Sequence, residues 1–261
     1  MILSFNPTKN LNMIKVKQLF FDIETVPNIG LFWEAGYKKN IPYENIIQER
    51  KIICICYKWK GEKQVHHLVW DKNQNDKKML QDFMKIINLA DEVIGHNSDK
   101  FDEPWVRTRC LYHDIPVFPN YTTLDTLKKA RAKFKFNSNT LNYIAGFLGL
   151  GSKSQTSFGL WKKILLENDQ KSLDYMIKYC KQDVILLEKI YDKLSPYITN
   201  KVHHGMSNGG EKCDCPECGS KKTKLSCTRI SAAGLKRVQL QCNDCGKYHT
   251  VSETTYKNKD K

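Results

Sequence analysis

No apolar run in the sequence approaches the ~18 residues of a membrane span. The N-terminus also lacks the basic-then-apolar pattern of a secretory signal. Both absences predict a soluble, cytoplasmic protein with no membrane partner. Internal repeats are absent as well. Acidic residues are in deficit: 28 Asp and Glu stand against 42 Lys and Arg, a formal net charge of +14. Such a surplus suggests a polyanionic partner, most simply nucleic acid, although a merely soluble basic protein has the same balance. The surplus is spread out, since residues 201–261 hold 12 basic and 6 acidic residues, leaving +8 for the rest. Cysteine is scarce early, with four of the ten in the first 200 residues and six crowded into residues 213–245. A disulfide framework would spread them more evenly, so the crowding points to a metal module in a reducing compartment.

The chain has 261 residues, 41% of them hydrophobic, enough for one full-sized domain and a small module. Residues 16–22, 52–59 and 64–70 read as strands, and residues 27–50 as irregular and aromatic. Residues 75–90 have helical periodicity, with Met79, Phe83, Ile86 and Ile87 on one face. A short strand is expected at 92–95, a helix at 101–113, a weak strand at 117–118, and helices at 125–134 and 140–148. Residues 149–159 read as a loop, and residues 173–194 as a helix closed by Pro196. This order predicts an α/β domain with a mixed sheet. The expected division is a leader at 1–13, the main domain at 14–197, a polar linker at 198–212, a small unit at 213–251 and a charged disordered tail at 252–261.

Asp22 and Glu24 end the apolar run Leu19-Phe20-Phe21-Asp22-Ile23-Glu24-Thr25. Strand residues two apart share a face, so the carboxylates would project together. They repel unless a cation lies between them, and hard divalent ions favour such oxygen ligands. A strand end meeting solvent would look the same. A second acidic segment, Gly95-His96-Asn97-Ser98-Asp99-Lys100-Phe101-Asp102, puts Asp102 at a loop-to-helix junction near the strand ends. Helix N-terminal charge is the plainer account of Asp102. The third is Tyr179-Cys180-Lys181-Gln182-Asp183, where a phenol and a carboxylate four apart share a helical face.

In this order, Asp22, Glu24, Asp102, Tyr179 and Asp183 resemble the active-site set of the DEDD superfamily of 3′→5′ exonucleases, over roughly residues 16–195. Tyrosine four residues before the last aspartate marks the DEDDy branch; the histidine branch would use position 178, which is Lys178. The Asn97…Phe101-Asp102 spacing is similar to B-family DNA polymerase proofreading domains. The chain more closely resembles stand-alone phage-type exonucleases with an appended zinc ribbon. The resemblance implies a ribonuclease-H-like fold, a mixed five-stranded sheet flanked by helices, and two-metal phosphodiester hydrolysis with Mg²⁺ or Mn²⁺. It implies that Asp22, Glu24 and Asp183 hold one ion, that Asp22 bridges to a second supported by Asp102, and that Tyr179 orients the attacking water. Thr25 and Asn97 would then contact the terminal nucleotide and Phe101 would stack a base, although an apolar residue there also suits the core. Lys135, Lys153 and Arg131 are candidate phosphate contacts, each equally readable as solvated surface. The run Arg131-Ala132-Lys133-Phe134-Lys135-Phe136 suits a single-strand track.

Cys215-Pro216-Glu217-Cys218-Gly219 and Cys242-Asn243-Asp244-Cys245-Gly246 are two CxxC knuckles 23 residues apart. Four thiolates so spaced suit one structural Zn²⁺ in a zinc ribbon. A redox CxxC would expect a βαβ context that is missing here. Cys213 is a possible substitute ligand, and Cys227 reads as a packed hairpin residue. The ribbon is basic with aromatics nearby, suited to nucleic acid, to docking on a DNA polymerase or other replisome protein, or to stability alone.

The functional expectation is a monomeric metal-dependent 3′→5′ exonuclease of single-stranded nucleic acid, DNA favoured over RNA, serving replication, proofreading or DNA degradation. The alternatives are an RNase-H-like endonuclease and a catalytically silent nucleic-acid-binding or replisome subunit.

Overall fold

A computed structural model describes residues 16–34, 36, 40–152, 156–198, 202–207 and 209–259. The expected leader at 1–13 lies outside the described residues, as does Lys153. The chain divides into two compact units, one of residues 17–194 and one that includes residues 195–261.

The larger unit runs β1 (Gln18–Thr25), β2 (Ile29–Gly30), β3 (Ile46–Gln48), β4 (Ile52–Trp59), β5 (His66–Val69), α1 (Lys77–Ile87), β6 (Glu92–Gly95), α2 (Asp102–Tyr112) and β7 (Thr122–Asp125). Four helices complete it: α3 (Thr126–Lys133), α4 (Leu141–Phe147), α5 (Phe158–Glu167) and α6 (Gln170–Leu194). The main sheet has the order β5-β4-β1-β6-β7. β4 is antiparallel to β1 and β5, whereas β6 is parallel to β1 and β7. This is the expected mixed five-stranded sheet flanked by helices.

β1 lies at the centre and is covered on both faces. Leu19, Phe21 and Ile23 pack with Phe83, Leu80 and Ile87 of α1 and Val106 of α2. Alternation turns Phe20, Asp22 and Glu24 to the other face, where Phe20 meets Tyr191 of α6 edge-on at 5.4 Å. Each large apolar side chain buried this way contributes roughly 1.5–3 kcal/mol. An interior ion network ties the layers together. Asp76 is fully buried and accepts hydrogen bonds from Arg109 Nε and Nη2 (both 2.8 Å), His113 Nε2 (2.6 Å) and the Ile52 backbone N–H (3.1 Å).

The fifth strand lies at Thr122–Asp125, not at residues 117–118. Val117 packs against the core from a loop and Phe118 is exposed. The true strand carries one apolar residue, Leu124, and earns its place by parallel pairing with β6. Helix α5 also starts inside the stretch read as loop, at Phe158, and continues to Glu167. Its only buried residue is Ile164, so little periodic signal marks it.

The second unit contains α7 (His204–Ser207), β8 (Thr223–Ile230), β9 (Lys236–Cys242), β10 (Tyr248–Ser252) and α8 (Glu253–Lys257). The strands form an antiparallel sheet in the order β10-β9-β8 over a small core of Cys213, Val238, Leu240 and Val251. The stretch 198–212, read as linker, thus holds a helical turn, and the stretch read as disordered tail holds α8. Ser252 Oγ caps α8 by accepting from the Thr255 N–H at 3.0 Å, and Tyr256 packs on the core. The charge of the segment masks these two short signals. Among the described residues no helix is long and apolar enough to cross a membrane.

Candidate active site

Strand alternation and helix pitch bring three acidic residues to one point. Asp22 and Glu24 leave the same face of β1, and Asp183 faces them from α6. Each offers a carboxylate oxygen, and the three oxygens lie within 4.8 Å of one another. Asp183 is buried, and so is Tyr179 one turn earlier on the same helix.

Asp102 approaches from α2, as its first residue. Its Oδ1 accepts a hydrogen bond from the Ile23 N–H at 3.1 Å, the amide between Asp22 and Glu24. Burial pushes the Asp102 carboxyl up to about 7; the Asp125 and Glu103 charges add to the rise and the Ile23 hydrogen bond opposes it. The loop before Asp102 is tightly folded. A Cβ at Gly95 would lie 2.3 Å from Ser98 Cβ, so only glycine fits there. Asn97 is left-handed, with φ of 66°, and its N–H donates to Asp125 Oδ1 at 2.9 Å. The same Asp125 oxygen accepts from the Leu127 N–H and caps α3.

A cleft of about 450 Å³ opens beside Asp22 and Asp183, lined also by His96, Asn97, Arg131 and residues 138–141. His96 is fixed through both ring nitrogens, to Thr126 Oγ1 and to the Asn139 carbonyl, each at 2.9 Å. Of the residues proposed to touch substrate, Asn97 and Arg131 line this cleft. Thr25 ends β1 and is buried; its carbonyl accepts from Trp161 Nε1–H at 3.0 Å. Phe101 packs against the core, and Lys135 is exposed in the loop after α3. Sequence reasoning does not single out His96, Asp125 or Asn139. For Asp125 the available signal is an acidic residue directly before a helical run.

The floor of the cluster is sulfur. Cys56 and Cys54 sit opposite Asp22 and Glu24 in the β1–β4 ladder. Cys180 Sγ lies 3.5 Å from the Asp22 carbonyl and 3.6 Å from Asp22 Oδ2. Burial pushes the Cys180 thiol well up, so it stays protonated and donates. The donor set above this floor is three converging carboxylates with a fourth buried carboxyl beside them. It fits hard divalent cations, which offset the mutual repulsion and bind oxygen.

In the second unit Cys215, Cys218, Cys242 and Cys245 bring their sulfurs within 4.8 Å of one another. Cys215 and Cys245 are 3.5 Å apart and Cys218 and Cys242 3.6 Å. A tetrahedral ion with 2.3 Å metal–sulfur bonds needs edges of about 3.8 Å, whereas a disulfide needs about 2.05 Å. Gly219 and Gly246 turn the knuckles at φ of 73° and 76°, and the Glu217 N–H points at Cys215 Sγ, 3.4 Å away. The cluster fits a zinc ribbon. Cys213 belongs to the hydrophobic core instead, and Cys227 Sγ meets Gln239 Oε1 at 3.1 Å.

A family model described as the RNase H superfamily matches residues 44–195. The match includes Asp102, Tyr179 and Asp183 and begins after Asp22 and Glu24. No curated protein matches the chain. Among solved structures, it is similar to the family B DNA polymerase from the hyperthermophilic archaeon Pyrobaculum calidifontis, with a TM-score of 0.54 and 17% identity. That likeness covers 70% of this chain and 25% of the polymerase, and at such identity it speaks to the fold.

Proposed function

Because the chain belongs to the RNase H superfamily, we propose that it is a divalent-metal-dependent nuclease that removes nucleotides from the 3′ end of single-stranded nucleic acid, DNA favoured. The observation that carries the proposal is the convergence of Asp22, Glu24 and Asp183 within 4.8 Å. The 3′→5′ direction and the DEDDy assignment rest on the ordered motifs that end in Tyr179 and Asp183.

Bound Mg²⁺ or Mn²⁺ would supply Lewis acidity and a more acidic water. Asp22, Glu24 and Asp183 would hold one ion, and Asp102 would complete a second position shared with Asp22. Tyr179, buried one turn before Asp183 on α6, would orient the attacking water through its phenol hydroxyl. Asn97 and Arg131 hold the terminal nucleotide and its phosphate in the cleft. The basic ribbon, with one Zn²⁺ on its four cysteines, either holds the strand or docks on a polymerase or other replisome protein.

The test uses end-labelled DNA and RNA oligonucleotides with Mg²⁺ or Mn²⁺ and an Asp22→Ala control. Stepwise, metal-dependent loss from the 3′ end, abolished by the substitution, is expected. Cutting of a circular strand would favour an endonuclease. Binding without turnover under any divalent ion would leave a silent subunit.

A further inference from the structure

Beside the cleft four aromatic rings form a continuous patch. Phe134 and Phe136 stack with centroids 5.4 Å apart at 26°, and Phe136 meets Phe147 edge-on at 5.4 Å. Phe147 stacks in turn on Tyr143 at 6.3 Å and 20°. Phe134 and Phe136 come from the α3–α4 connection, and Tyr143 and Phe147 stand one turn apart on α4. The patch is open: Phe147 is 67% exposed and the other three rings are half-buried. Apolar ring surface left in water is unfavourable, so a partner with flat apolar faces is the natural cover.

The charge around the patch selects that partner. Residues 126–148 contain five Lys and Arg and no Asp or Glu. Lys128 is paired with Asp99 at 2.7 Å. Among the described residues Arg131, Lys133 and Lys135 enter no ion pair, and all three are exposed. The same connection forms one wall of the carboxylate cleft through Arg131 and residues 138–141. Aromatic faces and free cations, continuous with a cleft that holds acidic ligands, match a polymer of bases and phosphates.

We propose that this patch is a stacking shelf for the unpaired bases of the strand whose 3′ end occupies the cleft. This rests on the nuclease reading above and narrows its substrate. In a duplex each base face is covered by its neighbours, so only single-stranded bases can lie on the rings. The shelf therefore favours a single strand long enough to pass from the cleft over the rings. A dinucleotide fills the cleft and leaves the shelf bare.

The experiment measures binding by fluorescence anisotropy in EDTA, where no cleavage occurs. The probes are a labelled thymidine oligonucleotide about ten nucleotides long, within the usual ~4–16-nucleotide site range, a thymidine dinucleotide, and a blunt hairpin duplex. Phe136→Ala and Phe147→Ala should each weaken the long probe about tenfold and leave the dinucleotide unchanged, and the blunt duplex should bind the wild type more weakly than the long probe. Phe147→Trp should bind like the wild type, whereas Phe147→Leu should bind like the alanine variant. Phe147 is exposed, so its series decides the matter even if Phe136→Ala fails to fold. Wild-type affinity in Phe147→Leu, or equal weakening of both oligonucleotides, would overturn the shelf. Cleavage by the wild type is scored separately. Metal-dependent cleavage with ring-independent binding sinks the shelf alone; ring-dependent binding without cleavage sinks the nuclease reading alone.

Discussion

Asp102→Asn is expected to stabilise the metal-free protein while ending its metal-dependent activity. Asp102 is 3% exposed, and burial pushes its carboxyl from 3.8 to about 7. At 1.36 kcal/mol per pH unit, that displacement corresponds to about 4 kcal/mol. The folded state has the higher pKa, so it holds the proton more tightly than the unfolded chain. The stability from this group is complete below about pH 4 and is lost as the pH rises through about 7. Asparagine keeps an acceptor for the Ile23 N–H and brings no charge next to Asp125 and Glu103. For a domain of this size 1 kcal/mol moves the melting temperature by about 2–4 °C. The variant should therefore melt up to about 8–16 °C above the wild type near pH 8 in EDTA, with a much smaller gain near pH 5. Thermal unfolding followed by circular dichroism at both pH values reads this directly. Equal melting temperatures near pH 8, or the same gain at both, would refute burial of a charge as the cause. Mn²⁺ should raise the wild-type melting temperature by mass action and the variant's much less.

Tyr179→Phe should slow nucleotide release about tenfold to a hundredfold, as for lost orientation of a reactant, while a Mn²⁺ titration of stability stays unchanged. Burial alone would raise the Asp76 carboxyl, but hydrogen bonds from Arg109, His113 and the Ile52 N–H hold it below its ordinary value. Asp76→Ala should therefore destabilise by about 3–5 kcal/mol in urea titrations; in the wild type this contribution is present above the ordinary carboxylate range and disappears as pH falls through the depressed pKa. One zinc per chain is expected by atomic absorption. Cys242→Ser should lose it, together with the protection of β8–β10 amides in hydrogen exchange, while the amides of β1 and β4 stay protected; full zinc content in the variant would count against the ribbon site.

The parts legible in the sequence are those with a long or paired signal. β4 is read to the residue because 52–59 are apolar apart from Lys58 and are bounded by Lys51 and Lys60. The long helix shows as a stripe through Val184, Leu187 and Ile190, and structure adds only its first turn, where Asp169 Oδ2 caps the Ser172 N–H at 2.9 Å. The acidic trio is legible because each member obeys a local period, two along β1 and four from Tyr179 to Asp183. β7 stayed hidden because pairing with β6, not its own composition, makes Thr122-Thr123-Leu124-Asp125 a strand. The ring shelf was half legible. Phe134 and Phe136 stand in the basic run, but nothing local joins them to Phe147, eleven residues further along.

The sulfur floor links the stability of the site to its demand for metal. A serine in place of Cys180 would need a full hydrogen-bond partner, and an alanine would leave a gap beneath Asp22. A thiol fills the space as a small apolar group and still offers a weak donor. Cys54, Cys56 and Cys180 are all fully buried, so the carboxylates rest on a dry surface, where Coulomb interactions are stronger than in water. Strong interaction acts in both directions. Without a cation it magnifies repulsion among Asp22, Glu24 and Asp183, and the same exclusion of water raises the Asp102 carboxyl. With a cation it magnifies attraction. The features that make the metal-free cluster costly are therefore those that would hold divalent ions firmly in the cleft.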